Sequence, residues 1–114
     1  MSPRIQTRRH KYGAQRTEVD GIVFHSKREA ARYQELKLLE RAKKVWGLEL
    51  QPRYRLTLNG FTLGHYVGDF RYYEADERGT GRLVVEDVKG VKTPLYRWKR
   101  KHMDAQYGIH IREV

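Results

Sequence analysis

Apolar and polar positions divide this chain into strand-like and helix-like stretches. Thr17 to Phe24 places β-forming residues on both sides of Asp20-Gly21, a pair that favours a tight hairpin turn. Ser26 fits a helix N-cap, and Glu29 three residues later completes a capping box. Helix formers fill the positions from 27 to about 44, including Ala30, Ala31, Leu36, Leu38, Leu39 and Ala42. Glu29 lies one and two turns from Tyr33 and Leu36, so it faces the core or the core's edge. The capping box alone also explains a glutamate there.

Trp46-Gly47 breaks the helix, and Leu48 to Leu58 alternates apolar with polar. Pro52 implies an edge or a bulge within that strand, and Asn59-Gly60 turns the chain. A further strand runs from about Phe61 to Glu74. Val67, Asp69 and Arg71 share one face of it, and Tyr66, Gly68, Phe70 and Tyr72 the other. After the polar turn Asp76-Glu77-Arg78-Gly79, a β-branched run from Arg82 to Lys89 reads as a buried strand. Thr93 caps a second helix that Pro94 opens, that reaches about Tyr107, and that Gly108 ends. Ile109 to Val114 is a last short strand. A helical crossover between the last two strands makes them parallel. The expected architecture is one α/β domain over residues 17–114. Its central mixed sheet is flanked by two helices and preceded by a short hairpin and a basic arm at residues 1–16.

The run from Arg82 to Lys89 ends in charge. Side-chain alternation sets Asp87 and Lys89 on the face of Leu83 and Val85, with Glu86 on the other. Burying a carboxylate costs several kcal/mol unless it is paired or binds a metal. A buried Asp87–Lys89 ion pair, a frayed and solvated strand end, or a metal site accounts for this ending. Asp69 is a second acid inside a strongly strand-forming run. Two strand carboxylates can together hold a hard divalent ion such as Mg²⁺. A third carboxylate at a helix end, Glu29, can complete or orient the shell. A bound ion of this kind lowers the pKa of its water and neutralises charge on a phosphate. Lys89 beside it can orient a water or stabilise developing negative charge.

Composition points the same way. The 114 residues suit one domain with a modest core. Lys and Arg number 24 against 14 Asp and Glu, a net charge of +10, which favours a polyanionic partner, most often nucleic acid. Arg8, Arg9 and Lys11 on the arm are candidate DNA contacts, or simply a solvated tail. Lys27, Lys92, Arg97, Lys99 and Arg100 are further candidates around the two helices. There is no Cys, which suits a reducing cytoplasm and excludes disulfides and Cys-based zinc sites. No apolar run of about 18 residues appears, and the Arg-rich N-terminus has no apolar signal core. The five histidines (His10, His25, His65, His102 and His110) show no zinc spacing. Neither a phosphate-binding glycine loop nor a G-x-S-x-G nucleophile motif occurs.

Asp69 followed by Asp87-Val88-Lys89, after a helix bearing Glu29, resembles the PD-(D/E)xK nuclease superfamily. More closely, the chain resembles a family of small phage- and prophage-encoded endonuclease-like proteins. The shared text includes Lys11-Tyr12-Gly13-Ala14, Thr17-Glu18-Val19-Asp20-Gly21-Ile22, Ser26-Lys27-Arg28-Glu29-Ala30, Leu50-Gln51-Pro52 and Val85-Glu86-Asp87-Val88-Lys89-Gly90. The resemblance implies a restriction-endonuclease-like core and metal-dependent hydrolysis of DNA with Mg²⁺ or Mn²⁺. It implies Asp69 and Asp87 as metal ligands, the Val88 carbonyl as a third oxygen, Lys89 as the catalytic lysine and Glu29 as the helix glutamate of resolvase-like members. It sets Gln51, otherwise an ordinary strand residue, near the site. It further implies a homodimer, branched DNA such as Holliday junctions as substrate, and the cytoplasm of a bacterial host. Gly68 stands where the motif's name-giving Pro would be. Two rivals remain: a non-catalytic nucleic-acid-binding module on the same fold, and a subunit that nicks DNA within a larger phage complex.

Overall fold

The computed structural model of the protein describes residues 15–114. Arg8, Arg9, Lys11 and nearly all of the expected arm lie outside the described residues. Strands β1 (Thr17–Val19) and β2 (Ile22–Phe24) form the small hairpin, with Asp20 and Gly21 both at positive φ in its turn. Helix α1 (Lys27–Arg41) begins at Ser26, whose side chain accepts from the Glu29 amide. It ends a few residues before the expected 44, with Lys43 at positive φ in the turn after it. Then come β3 (Val45–Leu50), β4 (Arg53–Leu58), β5 (Phe61–Val67), β6 (Phe70–Ala75) and β7 (Gly81–Asp87). Helix α2 (Pro94–Tyr107) is capped by Thr93 and stopped by Gly108 in the left-handed region. Strand β8 is only Arg112–Glu113.

The central sheet has the order β3-β6-β7-β8. Its first three strands are antiparallel, and β8 runs parallel to β7, as a crossover through α2 requires. Phe24, Ala30, Tyr33, Leu36, Val45, Phe70, Tyr72 and Val84 form the core between the sheet and α1. Leu56, Tyr66, Val85, Tyr96, Met103 and Ile111 form a second core on the side of α2. The α/β class, the mixed sheet and its two flanking helices are as the pattern predicts.

Two expected strands are each broken in the middle. The stretch Leu48 to Leu58 splits at Gln51-Pro52, and Phe61 to Glu74 splits at Gly68-Asp69. Gln51 takes a positive φ of 52°, the signature of a local bulge. Backbone pairing nevertheless crosses the break: the Gln51 amide donates to the Asp69 carbonyl (3.0 Å) and the Gly68 amide to the Pro52 carbonyl (2.9 Å). The register from Leu50–Phe70 to Arg53–Val67 is also unchanged. The four strands are thus one long, kinked β-ribbon. The kink corrects the expected face assignment. Tyr66 packs on the α2 side, whereas Phe70 and Tyr72 pack on the α1 side. Gly68 suits the bend because a Cβ there would stand 3.2 Å from Val85 and 3.3 Å from the Tyr66 ring.

Candidate active site

Strand β7 is buried from Val84 to its end, including Glu86 and Asp87. The two acids face opposite sides, as alternation demands. Glu86 is fully buried on the α1 side, where Arg32 grips it with Nε at 2.9 Å and Nη2 at 2.5 Å. The Tyr72 hydroxyl also donates to it. This glutamate is a structural ion pair. Nothing in its spacing distinguishes it from its neighbour until Arg32 is seen to reach across from α1.

Asp87 lies on the other side, 4% exposed, and accepts a 2.6 Å hydrogen bond from the Tyr66 hydroxyl. The strand ends here, so Lys89 does not continue its alternation. It returns all the same: Lys89 Nζ lies 3.3 Å from Asp87 Oδ1 and 4.0 Å from the centre of the buried Tyr96 ring. Tyr96 thus belongs to the core and not to the exposed basic face of α2.

Asp69 occupies the ribbon kink, across from the end of β7. Its amide donates to the Glu86 carbonyl (3.0 Å), and its Oδ2 accepts from the Val88 amide (2.7 Å). Its carboxyl lies against both Asp87 and Glu29. The Asp69 carboxyl therefore sits at the end of β7, on the amide of the residue that follows Asp87. Burial, then a hydrogen bond with Glu29, pushes the Asp69 carboxyl up to about 7. Burial likewise raises Asp87 to about 6; Tyr66 and Lys89 pull it back while the neighbouring Asp69 charge adds to the rise. Glu29 comes from the first turn of α1, where its Oε1 accepts from the His25 amide (2.9 Å) as part of the cap. Capping and proximity to Asp69 thus coexist in one side chain.

Hollows adjoin Glu29 on two sides. A cavity of about 160 Å³ is lined by His25, Glu29, Gln51, Asp69 and apolar neighbours. A wider cleft of about 540 Å³ is lined by Ser26, Lys27, Arg28, Glu29, Val88, Lys89 and Thr93 among others. Of the expected basic contacts, Lys27 and Arg97 are exposed and Lys99 half-buried. Lys92 and Arg100 are instead paired with Glu113, at 2.9 and 2.7 Å. Tyr66 was not among the expected site residues; a Tyr two positions before the motif glycine carries no pattern of its own.

An all-oxygen set of two buried, mutually repelling carboxylates suits a hard divalent cation such as Mg²⁺ or Mn²⁺. Among the described residues, no three His, Asp or Glu side chains already surround one point as a metal cage. Asp69 is held by the Val88 amide, Asp87 by Tyr66 and Lys89, and Glu29 by the His25 amide of its cap. Among the described residues, no helix is long and apolar enough to cross a membrane.

Residues 9–112 match the family model described as "Protein of unknown function (DUF1064)". The chain belongs to the DUF1064 family. No curated protein and no solved structure matches it. The match spans both helices and all of the strands up to Arg112, so in this DUF1064 protein the acids, the lysine and the kinked ribbon all fall within the family's region.

Proposed function

We propose that this protein is a divalent-metal-dependent endodeoxyribonuclease on a restriction-endonuclease-like core. The observation that carries the reading is the seat of the Asp69 carboxyl on the Val88 amide (2.7 Å), the residue next to buried Asp87, with Lys89 3.3 Å from Asp87. Burying two acids together in a chain of net charge +10 is costly unless a cation joins them. Asp69 and Asp87 would hold Mg²⁺ or Mn²⁺, with the Val88 carbonyl and Glu29 as further oxygens. When bound, the ion supplies Lewis-acid activation of water and charge neutralisation at the phosphate.

The chain's own groups have distinct tasks in phosphodiester hydrolysis. The water oxygen bonds to phosphorus, the bond to one ester oxygen breaks, and that oxygen leaves with a proton. Lys89 offers ammonium protons to the developing negative charge, and the Tyr96 ring and Asp87 keep its chain from straying. Tyr66 holds Asp87 in one orientation and favours its ionised form. Glu29 links the Asp69 carboxyl to the end of α1. Lys27 and Arg97 would draw in the DNA backbone.

Branched DNA as the preferred substrate, a homodimeric state and action in the cytoplasm of a phage or prophage host rest on the resemblance alone. Cleavage of four-way junctions and linear duplex, with Mg²⁺ or Mn²⁺, tests the reading. Asp87→Ala is expected to abolish cutting and keep DNA binding. Absence of cutting by the wild type on every DNA offered refutes it. One observation favours a second reading, a non-catalytic nucleic-acid-binding module: Glu29 and Lys89 already have internal partners. Titration calorimetry with Mn²⁺ separates the two, because a module takes up no metal that Asp87→Ala can remove.

A further inference from the structure

The β4–β5 half of the ribbon projects beyond the central sheet and carries no assigned task. From Arg53 to Val67 it contains Arg53, Arg55 and His65 and not one acid. At its end Asn59 and Gly60 both take positive φ, the two-residue turn that suits a twisted hairpin. Leu58 and Phe61 face each other directly across this turn, 56% and 73% exposed. Phe61 is the most exposed large apolar residue described.

The strand that leads into this tip is tied to α2. The Thr57 amide donates to Gln106 Oε1 (2.9 Å), Gln106 Nε2 donates to Thr57 Oγ1 (3.0 Å), and the Tyr107 hydroxyl donates to the Arg55 carbonyl (2.6 Å). His102 Nε2 lies 2.9 Å from the Thr57 carbonyl oxygen, and its ring packs on Trp98 at 5.1 Å. Trp98 is itself 44% exposed, and Arg97 and Lys101 are exposed beside it on α2. Three side chains of α2 (Gln106, Tyr107 and His102) thus brace β4 just short of the apolar point, with exposed Arg55 on β4 and exposed Arg97 and Lys101 on the bracing helix.

We propose that the Leu58–Phe61 tip is a wedge for double-stranded DNA, with Phe61 entering a base step and Arg55, Arg97 and Lys101 on the flanking phosphates. Apolar side chains that part stacked bases commonly do so from such basic surroundings. Charge selects this occupant over a second copy of the chain. A two-fold contact through the tip would set Arg55, Arg97 and Lys101 against their own counterparts. Placement agrees with it: the wedge lies on the same ribbon as Asp69, at most about 26 Å away at 3.3 Å per residue. That reach corresponds to at most about eight base pairs at 3.4 Å each. The inference takes its polymer from the proposed function but does not depend on cleavage.

The test is equilibrium binding by the full chain in EDTA, using duplex and four-way-junction DNA carrying 2-aminopurine. Wild type is expected to raise the 2-aminopurine emission at one step at least twofold. Phe61→Ala is expected to bind about tenfold more weakly and to leave the emission unchanged, in the range of a lost stacking contact. Leu58→Ala, at the same turn, is expected to blunt the same signal. Arg55→Ala is expected to weaken binding while lowering the salt slope by about one. Thermal unfolding checks that these exposed substitutions leave the fold intact. Unchanged binding and emission in Phe61→Ala overturn the wedge and leave the nuclease reading standing. Conversely, a wild type that never cuts but shows these effects sinks the nuclease reading and keeps the wedge. Loss of self-association or of binding to anionic vesicles in Phe61→Ala, with DNA binding unaltered, also overturns it.

Discussion

Replacing Asp69 with Asn should stabilise the metal-free protein at neutral pH. Asn has the same shape, and its Oδ1 can still accept from the Val88 amide, which now bonds Asp69 Oδ2 at 2.7 Å. What disappears is a charge that burial and Glu29 disfavour. A carboxyl whose pKa rises on folding, from 3.8 to about 7, adds stability that is complete below 3.8. That stability is lost as pH climbs through the interval to about 7. Each pH unit of that interval is worth about 1.4 kcal/mol, so the ceiling is about 4 kcal/mol. Sharing of the proton load with Asp87 makes about 2 kcal/mol the working figure. For a domain of this size that is a shift of roughly 10 °C in Tm. The assay is thermal unfolding by circular dichroism in EDTA at pH 5 and pH 8. Wild type should lose about 10 °C relative to Asp69→Asn between the two, and the variant should be the more stable at pH 8. Mn²⁺ at pH 8 should raise the wild-type Tm and leave the variant unmoved. Parallel pH profiles for the two proteins would refute the idea that Asp69 is a buried, charge-strained acid.

Arg32→Ala should cost about 3–5 kcal/mol in urea unfolding, because it strands the fully buried Glu86 carboxylate. Tyr66→Phe should move the acid limb of the cleavage–pH profile upward, since Tyr66 lowers the Asp87 pKa; an unmoved limb would separate Asp87 from the rate. Glu113 is held down to about 2, first by Lys92 and then by Tyr96 and Arg100. Its stabilisation is complete above 4.5 and lost as pH falls toward 2. Glu113→Gln should therefore remove part of the acid-induced loss of stability, read by fluorescence between pH 5 and 2.

Local chemistry announced most of the fold. The capping box at Ser26 and Glu29, the Thr93-Pro94 start and Gly108 stop of α2, and the Asp20-Gly21 and Asn59-Gly60 turns all act within a few residues. The structure places each of them where its own chemistry puts it. Asp69, Asp87 and Lys89 were also legible, because acids inside β-forming runs conflict with their surroundings. The kink was not. Pro52 hinted at a bulge, but the room that only a glycine leaves at Gly68 is measured against Val85 of another strand as well as Tyr66, and the local sequence does not show Val85 there. Lys89 was expected to reach Asp87 by strand alternation. It does so beyond the strand's end, through the Tyr96 ring. Tyr66 and Arg32 were invisible for the same reason: each acts on β7 from another element.

Strand β7 has a peculiarity in its spelling. Val84 and Glu86 point one way, Val85 and Asp87 the other, so each side of the sheet receives a valine followed by an acid. Slide the strand by a single residue and that description still holds. What tells the frames apart is one methylene: the longer acid meets the arginine of α1, and the shorter fits beneath the tyrosine and beside Asp69. A Glu86–Asp87 exchange would keep composition, charge and pattern while misaddressing both carboxylates.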